Sequence, residues 1–186
     1  MRPAAPISPR LPRLTLPSRQ RGLTLIELLV AIVVLAIIAT MGIPSFQNFT
    51  ARNEVAAEVM RIKTALALAR NTAVTRRTTI SVCPRPAPDS TACDFNNWNL
   101  PLVVMDGQVA SGNLADGESL RVLEGSGGPS VTFNRSYPIR YQATGWARGH
   151  NGTFEVCGRH GDGVKIIVNN MGRVRTGGEA DGEPAC

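Results

Sequence analysis

The sequence predicts an α+β chain: a long N-terminal α-helix, membrane-spanning in its first half, packed on a C-terminal antiparallel β domain. Three observations lead there. Residues 28–51 carry no charge, and Leu28 to Ile43 is almost wholly aliphatic, long enough to cross a bilayer core as a helix. Val55, Val59, Ile62, Leu66, Ala69 and Ala73 then recur at spacings of three and four, one stripe of an amphipathic helix. Past Thr78 the pattern changes to short β-branched or aromatic runs separated by Gly, Pro, Asn and Asp.

Residues 1–22 hold five prolines, five arginines and no acid, so they form neither a helix nor a core, and they read as a leader on the cytoplasmic side. The arginine cluster ahead of the apolar run keeps the N-terminus in the cytoplasm. A secretory signal cut near Ala39 to Gly42 fits less well, because the apolar run is too long, Glu27 sits inside its start, and helical periodicity continues past it. One helix from about Leu23 to about Arg77 is the simplest reading, with Gly42 and Pro44 expected to kink or locally open it. This divides the chain into a leader over 1–22, a hydrophobic helix over 23–51, an amphipathic helix over 52–77 and a β domain over 78–186. The expected strands are Thr78–Cys83, Trp98–Met105, Ser119–Leu123, Ser130–Phe133, Ile139–Ala143, Thr153–Cys157, Val164–Val168 and Arg173–Thr176.

The formal charge of +6 suggests an attraction to polyanions, but five of the basic residues lie before residue 22. Without them the chain has 15 basic and 14 acidic residues, so any nucleic-acid site must be local. Residues 135–175 carry a net +5, residues 85–124 a net −4, and Glu179, Asp181 and Glu183 add an acidic tail able to weaken or gate a phosphate site. Cys83, Cys93, Cys157 and Cys186 form an even set after the apolar segment, as expected of oxidised thiols, and their spacing does not read as a metal site.

The stretch Arg21-Gly22-Leu23-Thr24-Leu25-Ile26-Glu27, followed by the aliphatic run, resembles the type III signal of type IV pilins and type II secretion pseudopilins. The resemblance implies cleavage between Gly22 and Leu23 by a prepilin peptidase, methylation of the new Leu23 amine, and retention of the apolar helix. Glycine at the cut leaves the backbone open to the protease. Glu27, a carboxylate in an apolar zone, needs a partner, which in pilins is thought to be the N-terminal amine of a neighbouring subunit in the filament. The plain alternative is the signal anchor of a single-pass membrane protein.

Pro44-Ser45-Phe46, the helix end from Ala65 to Val74 and the strand Thr79 to Cys83 look like the FimT/GspH family, whose fold is a long helix laid on a β-sandwich-like domain. Gly172-Arg173-Val174-Arg175 resembles the Gly-Arg-x-Arg element of FimT-type minor pilins, linked to DNA binding in natural transformation. In a strand, Arg173 and Arg175 would share a face and meet successive phosphates of double-stranded DNA without reading its sequence, helped by Arg140, Arg148, Arg159 or Lys165. Paired arginines on a strand are otherwise a solvated face.

If the cysteines pair locally, Cys83 with Cys93 and Cys157 with Cys186, one of three connectivities, the second bond closes a loop around the arginines and ties down the C-terminus. His150 and His160 lie in glycine-rich turns and read as surface residues. No nucleophile elbow, phosphate loop or carboxylate pair stands in a recognisable context, so neither catalysis nor a cofactor or metal is expected. Trp98, Phe133, Tyr137, Tyr141 and Trp146 could stack on bases where exposed, although most such residues are core.

The functional expectation is a minor type IV pilin held in the bacterial inner membrane before assembly and then in the pilus, with its β domain in the periplasm or outside the cell. Its partners are other pilins, prepilin peptidase and DNA taken up in transformation. The alternatives are a structural subunit that primes pilus assembly, a type II secretion pseudopilin without DNA binding, and an adhesin.

Overall fold

The computed structural model describes residues 22, 24–109, 112–177, 181, 182, 184 and 186. The leader before Gly22, Leu23 at the expected cut, and the acidic Glu179 and Glu183 lie outside these residues.

Helix α1 spans Leu25–Arg76. Its start is fixed by Thr24, whose Oγ1 accepts from the Glu27 backbone N–H at 3.3 Å and whose carbonyl accepts from Leu28 N at 3.2 Å. This is the threonine half of a capping box, with Glu27 in the third helical position. The helix runs through Pro44 without a break. At its C-terminus Arg77 takes a left-handed conformation, φ 55°, which ends the helix there. Contacts divide the chain into two units, one ending at Gly42 and one starting at Ile43. In the first, the aliphatic side chains from Leu25 to Ile38 are exposed, and the helix is long and apolar enough to cross a membrane.

In the second unit the six stripe residues are buried, joined by Ala51, Glu58 and Ala65. They pack on eight strands: β1 (Ile80–Pro84), β2 (Leu102–Asp106), β3 (Glu118–Leu123), β4 (Ser130–Phe133), β5 (Ile139–Tyr141), β6 (Gly152–Cys157), β7 (Gly163–Val168) and β8 (Val174–Thr176). All the pairings are antiparallel, in two four-stranded sheets ordered β3-β2-β1-β5 and β4-β6-β7-β8.

Strands β1 and β2, at the centre of the first sheet, are covered on both sides. Ile80, Val82, Leu102 and Val104 join the main core with the helix, while Cys83, Val103 and Met105 pack under Val109 and Leu114 in a smaller cluster. Near-continuous apolar runs in β1 and β2 follow from this double burial. The second sheet alternates: Phe154, Val156, Ile166 and Val168 face the core, whereas Thr153, Glu155, Lys165 and Ile167 face outward. Trp98, Phe133 and Phe154 form an aromatic cluster at the heart of the core, with centroids 4.4–5.1 Å apart. Disulfides join Cys83 to Cys93 and Cys157 to Cys186.

A buried ion pair holds the helix to the first sheet, at the segment before β2 and the end of β3. Arg61 donates to Glu58 Oε1 through Nε (2.9 Å) and Nη2 (2.5 Å), and to the carbonyls of Trp98 (3.0 Å), Leu100 (3.2 Å) and Leu123 (3.3 Å). Glu58 is 1% exposed, and removing its partner would strand a charge in the core. Arg61→Ala is therefore expected to cost about 3–5 kcal/mol in denaturant unfolding of the full chain. Arg52→Ala, which breaks the exposed Arg52–Asp162 bridge, should leave the midpoint nearly unchanged.

Candidate nucleic-acid interface

The Gly-Arg-x-Arg segment divides between two environments. Asn169 to Arg173 is the turn linking β7 to β8: Asn169 N donates to Arg173 O, Gly172 N to Asn169 O, and Arg173 N to Asn169 Oδ1, all within 3.0 Å. Arg173 closes this turn, one residue before β8 begins. Gly172 has φ 73°, and a Cβ there would run into the Gly145 carbonyl and the Tyr141 ring. The glycine serves close packing of two turns, and it is buried.

Arg175 lies opposite Ile167 on the outer face of the second sheet. Its guanidinium grips the Asp181 carboxylate in a two-pronged pair at 2.5 and 2.7 Å, which raises its pKa above the usual arginine value. Lys165 Nζ stands 3.6 Å from Glu155 and donates to the Asp181 carbonyl at 3.1 Å. Arg175, Lys165, Glu155 and Asp181 line one shallow depression, and their charges cancel.

The other predicted cations are dispersed. Arg159 sits in the β6–β7 turn, 3.7 Å from Glu54. Strand β7 separates that turn from Arg173 by roughly 17 Å at the usual rise per residue. Arg140, in β5, is opposite the buried Ser81 on the covered side of the first sheet and donates to the Val109 carbonyl at 3.4 Å. Burial lowers its pKa. Arg140, Lys165, Arg159 and Arg175 are thus each engaged with partners of their own.

Arg148 follows Ala147, whose backbone is bonded to the turn that Arg173 closes. The turn from Gln142 to Trp146 is closed by Gly145 N to Gln142 O (2.7 Å) and Gln142 N to Trp146 O (2.9 Å), and Ala147 N donates to Asn170 O at 3.0 Å. Arg70 of α1 binds both turns, through Gly145 O (3.2 Å) and Met171 O (3.3 Å). Arg148 lies over the Trp146 ring, its Cζ 4.4 Å from the centroid. Among the described residues neither Arg148 nor Arg173 makes an ion pair, and both are exposed. No acidic residue occurs in 135–154 or 163–177. Sequence reasoning missed Arg70, because its partners are carbonyls 75 and 101 residues away.

Residues 58–172 match the family described as Type II transport protein GspH, and residues 17–43 match the prokaryotic N-terminal methylation motif. The chain belongs to the GspH family. It is 31% identical over 134 residues to "Prepilin peptidase-dependent protein D" of Escherichia coli, covering 72% of this chain and 84% of that protein. It is 26% identical to "Type IV major fimbrial protein FimA" of Dichelobacter nodosus, over 74% and 87% of the two chains. Its fold is that of the type IV minor pilin FimU of Pseudomonas aeruginosa, with TM-score 0.56, 24% identity, and 71% of this chain and 94% of that one covered. This GspH-family protein has the type IV pilin fold, and the family match stops at Gly172, just before the two arginines of the motif.

His150 flanks the same turns. Its Nδ1 is 2.8 Å from the Pro138 carbonyl, and Tyr137 packs edge-on against the ring. Its pKa lies below the ordinary 6.5, chiefly through burial, with Arg140 adding to the shift and the Pro138 bond opposing it. The unfolded chain therefore binds the proton more readily, so this contribution to stability is present above the ordinary histidine value and declines as pH falls through the folded one. His150→Gln should flatten the acid side of the stability–pH curve below about pH 6.5, measured by thermal unfolding.

Proposed function

We propose that this minor pilin or pseudopilin captures extracellular double-stranded DNA for uptake through the paired turns that carry Arg148 and Arg173. The observation that carries the reading is two exposed, unneutralised guanidiniums on turns locked together by the Ala147–Asn170 bond and Arg70, in segments without an acid. Such groups hold backbone phosphates irrespective of sequence. Arg175, held by Asp181, contributes little.

In this reading residues 1–22 are removed by prepilin peptidase at Gly22–Leu23. Residues 23–51 anchor the subunit in the inner membrane and then pack in the filament, 52–77 carry the β domain, and 78–186 lie in the periplasm or outside the cell. Glu27 pairs with the N-terminal amine of a neighbouring pilin. Gly22 supports cleavage, being exposed with nothing packed where a side chain would stand. Replacing Gly22 with a bulky residue should leave an uncut precursor, seen by mass spectrometry.

The test of binding uses the full chain in neutral detergent and duplexes of unrelated sequence at several salt concentrations. Affinity should fall steeply with salt, and Arg148→Ala with Arg173→Ala should reduce the log–log slope by about two. Arg175→Ala should leave the slope nearly unchanged. If the folded protein binds no duplex, its role is that of a structural subunit that primes assembly or serves type II secretion.

A further inference from the structure

The paired turns carry, beside their cations, an aromatic surface that phosphate binding does not use. Trp98 and Tyr141 are buried, Phe133 and Phe154 close the aromatic cluster of the core, and Tyr137 packs on His150. Trp146 is different. It is 36% exposed, the one large exposed aromatic side chain among the described residues of the β domain. The Arg148 guanidinium covers its ring, and its backbone is pinned on both sides by the Gln142–Trp146 and Ala147–Asn170 bonds. Trp146 belongs to neither hydrophobic cluster of the domain.

We infer that the Trp146–Arg148 pair is a stacking platform for an unpaired nucleobase, with the base extending the ring–guanidinium stack while Arg173 takes a neighbouring phosphate. Bases stack on aromatic rings and on guanidinium planes alike, and every base offers a π-face, so the platform is tolerant of sequence. In a duplex the faces are already occupied by neighbouring bases. The ligand class it selects is therefore single-stranded DNA, or the frayed end of a duplex. The inference rests on the proposed DNA-binding role and assigns that same surface a second mode of contact.

The experiment titrates the full chain in neutral detergent with an oligothymidylate and, separately, with a blunt duplex, following both anisotropy of the labelled DNA and tryptophan fluorescence. The oligothymidylate should quench Trp146, leaving the buried Trp98 emission. Trp146→Leu should weaken oligothymidylate binding at least about fivefold, the low end for one base–aromatic stack, and duplex binding less than about twofold. Trp146→Phe should retain most of the single-strand affinity. Duplex binding by the wild type, with no quenching by oligothymidylate and equal affinities for Trp146→Leu, would overturn the platform and leave the phosphate site standing. Binding of neither probe would remove the DNA-binding reading, and the platform with it.

Discussion

The second half of α1 organises the β domain through what its arginines donate to. Burial of Val55, Val59, Ile62 and Leu66 supplies the adhesive energy, but apolar contact is non-directional and does not fix a register between a helix and two sheets. The Glu58–Arg61 pair does so for the first sheet, because the guanidinium fork presents its donors in one plane and satisfies the carbonyls of Trp98, Leu100 and Leu123 together. Two and a half turns on, Arg70 repeats the device at Gly145 and Met171. The geometry of the paired turns is thus set from the helix.

Charge on this domain is sorted by pairing rather than by count. Both ends of the second sheet carry basic turns, yet at the β6–β7 end Arg159 faces Glu54, and Arg52 faces Asp162. On the outer face Asp181 neutralises Arg175. At the β7–β8 end, among the described residues, Arg148 and Arg173 have no such ion-pair partner. A bare sum of +5 over residues 135–175 conceals this, because it weights a guanidinium locked in a two-pronged pair equally with a free one.

The periodic features were legible in the sequence because they report burial directly. The helical stripe and the eight strand runs stand where the structure has them, with boundaries differing by a few residues, as at Trp98, which belongs to a loop before β2. Pro44 did not interrupt α1. Glu58 was unreadable as a core residue because its charge hides it in a hydrophobic pattern, and only its partner three residues on makes its burial tolerable. The motif arginines were found, but not their different partners: Arg173 ends a glycine-directed turn one residue before β8 begins, while Arg175 is held by Asp181. Gly172 was noted as a motif residue, while its reason, the approach of Gly145, is a contact across 27 positions that no local pattern records.

The proposed DNA contact lies on the paired turns and not on the β8 face. Side-chain NMR of the arginine Nε–Hε groups, recorded on the full chain in detergent during titration with duplex DNA, reads this directly. The account predicts that Arg148 and Arg173 shift together and saturably while Arg175, held by Asp181, stays in place. Movement of Arg175 with Arg148 unperturbed would contradict it.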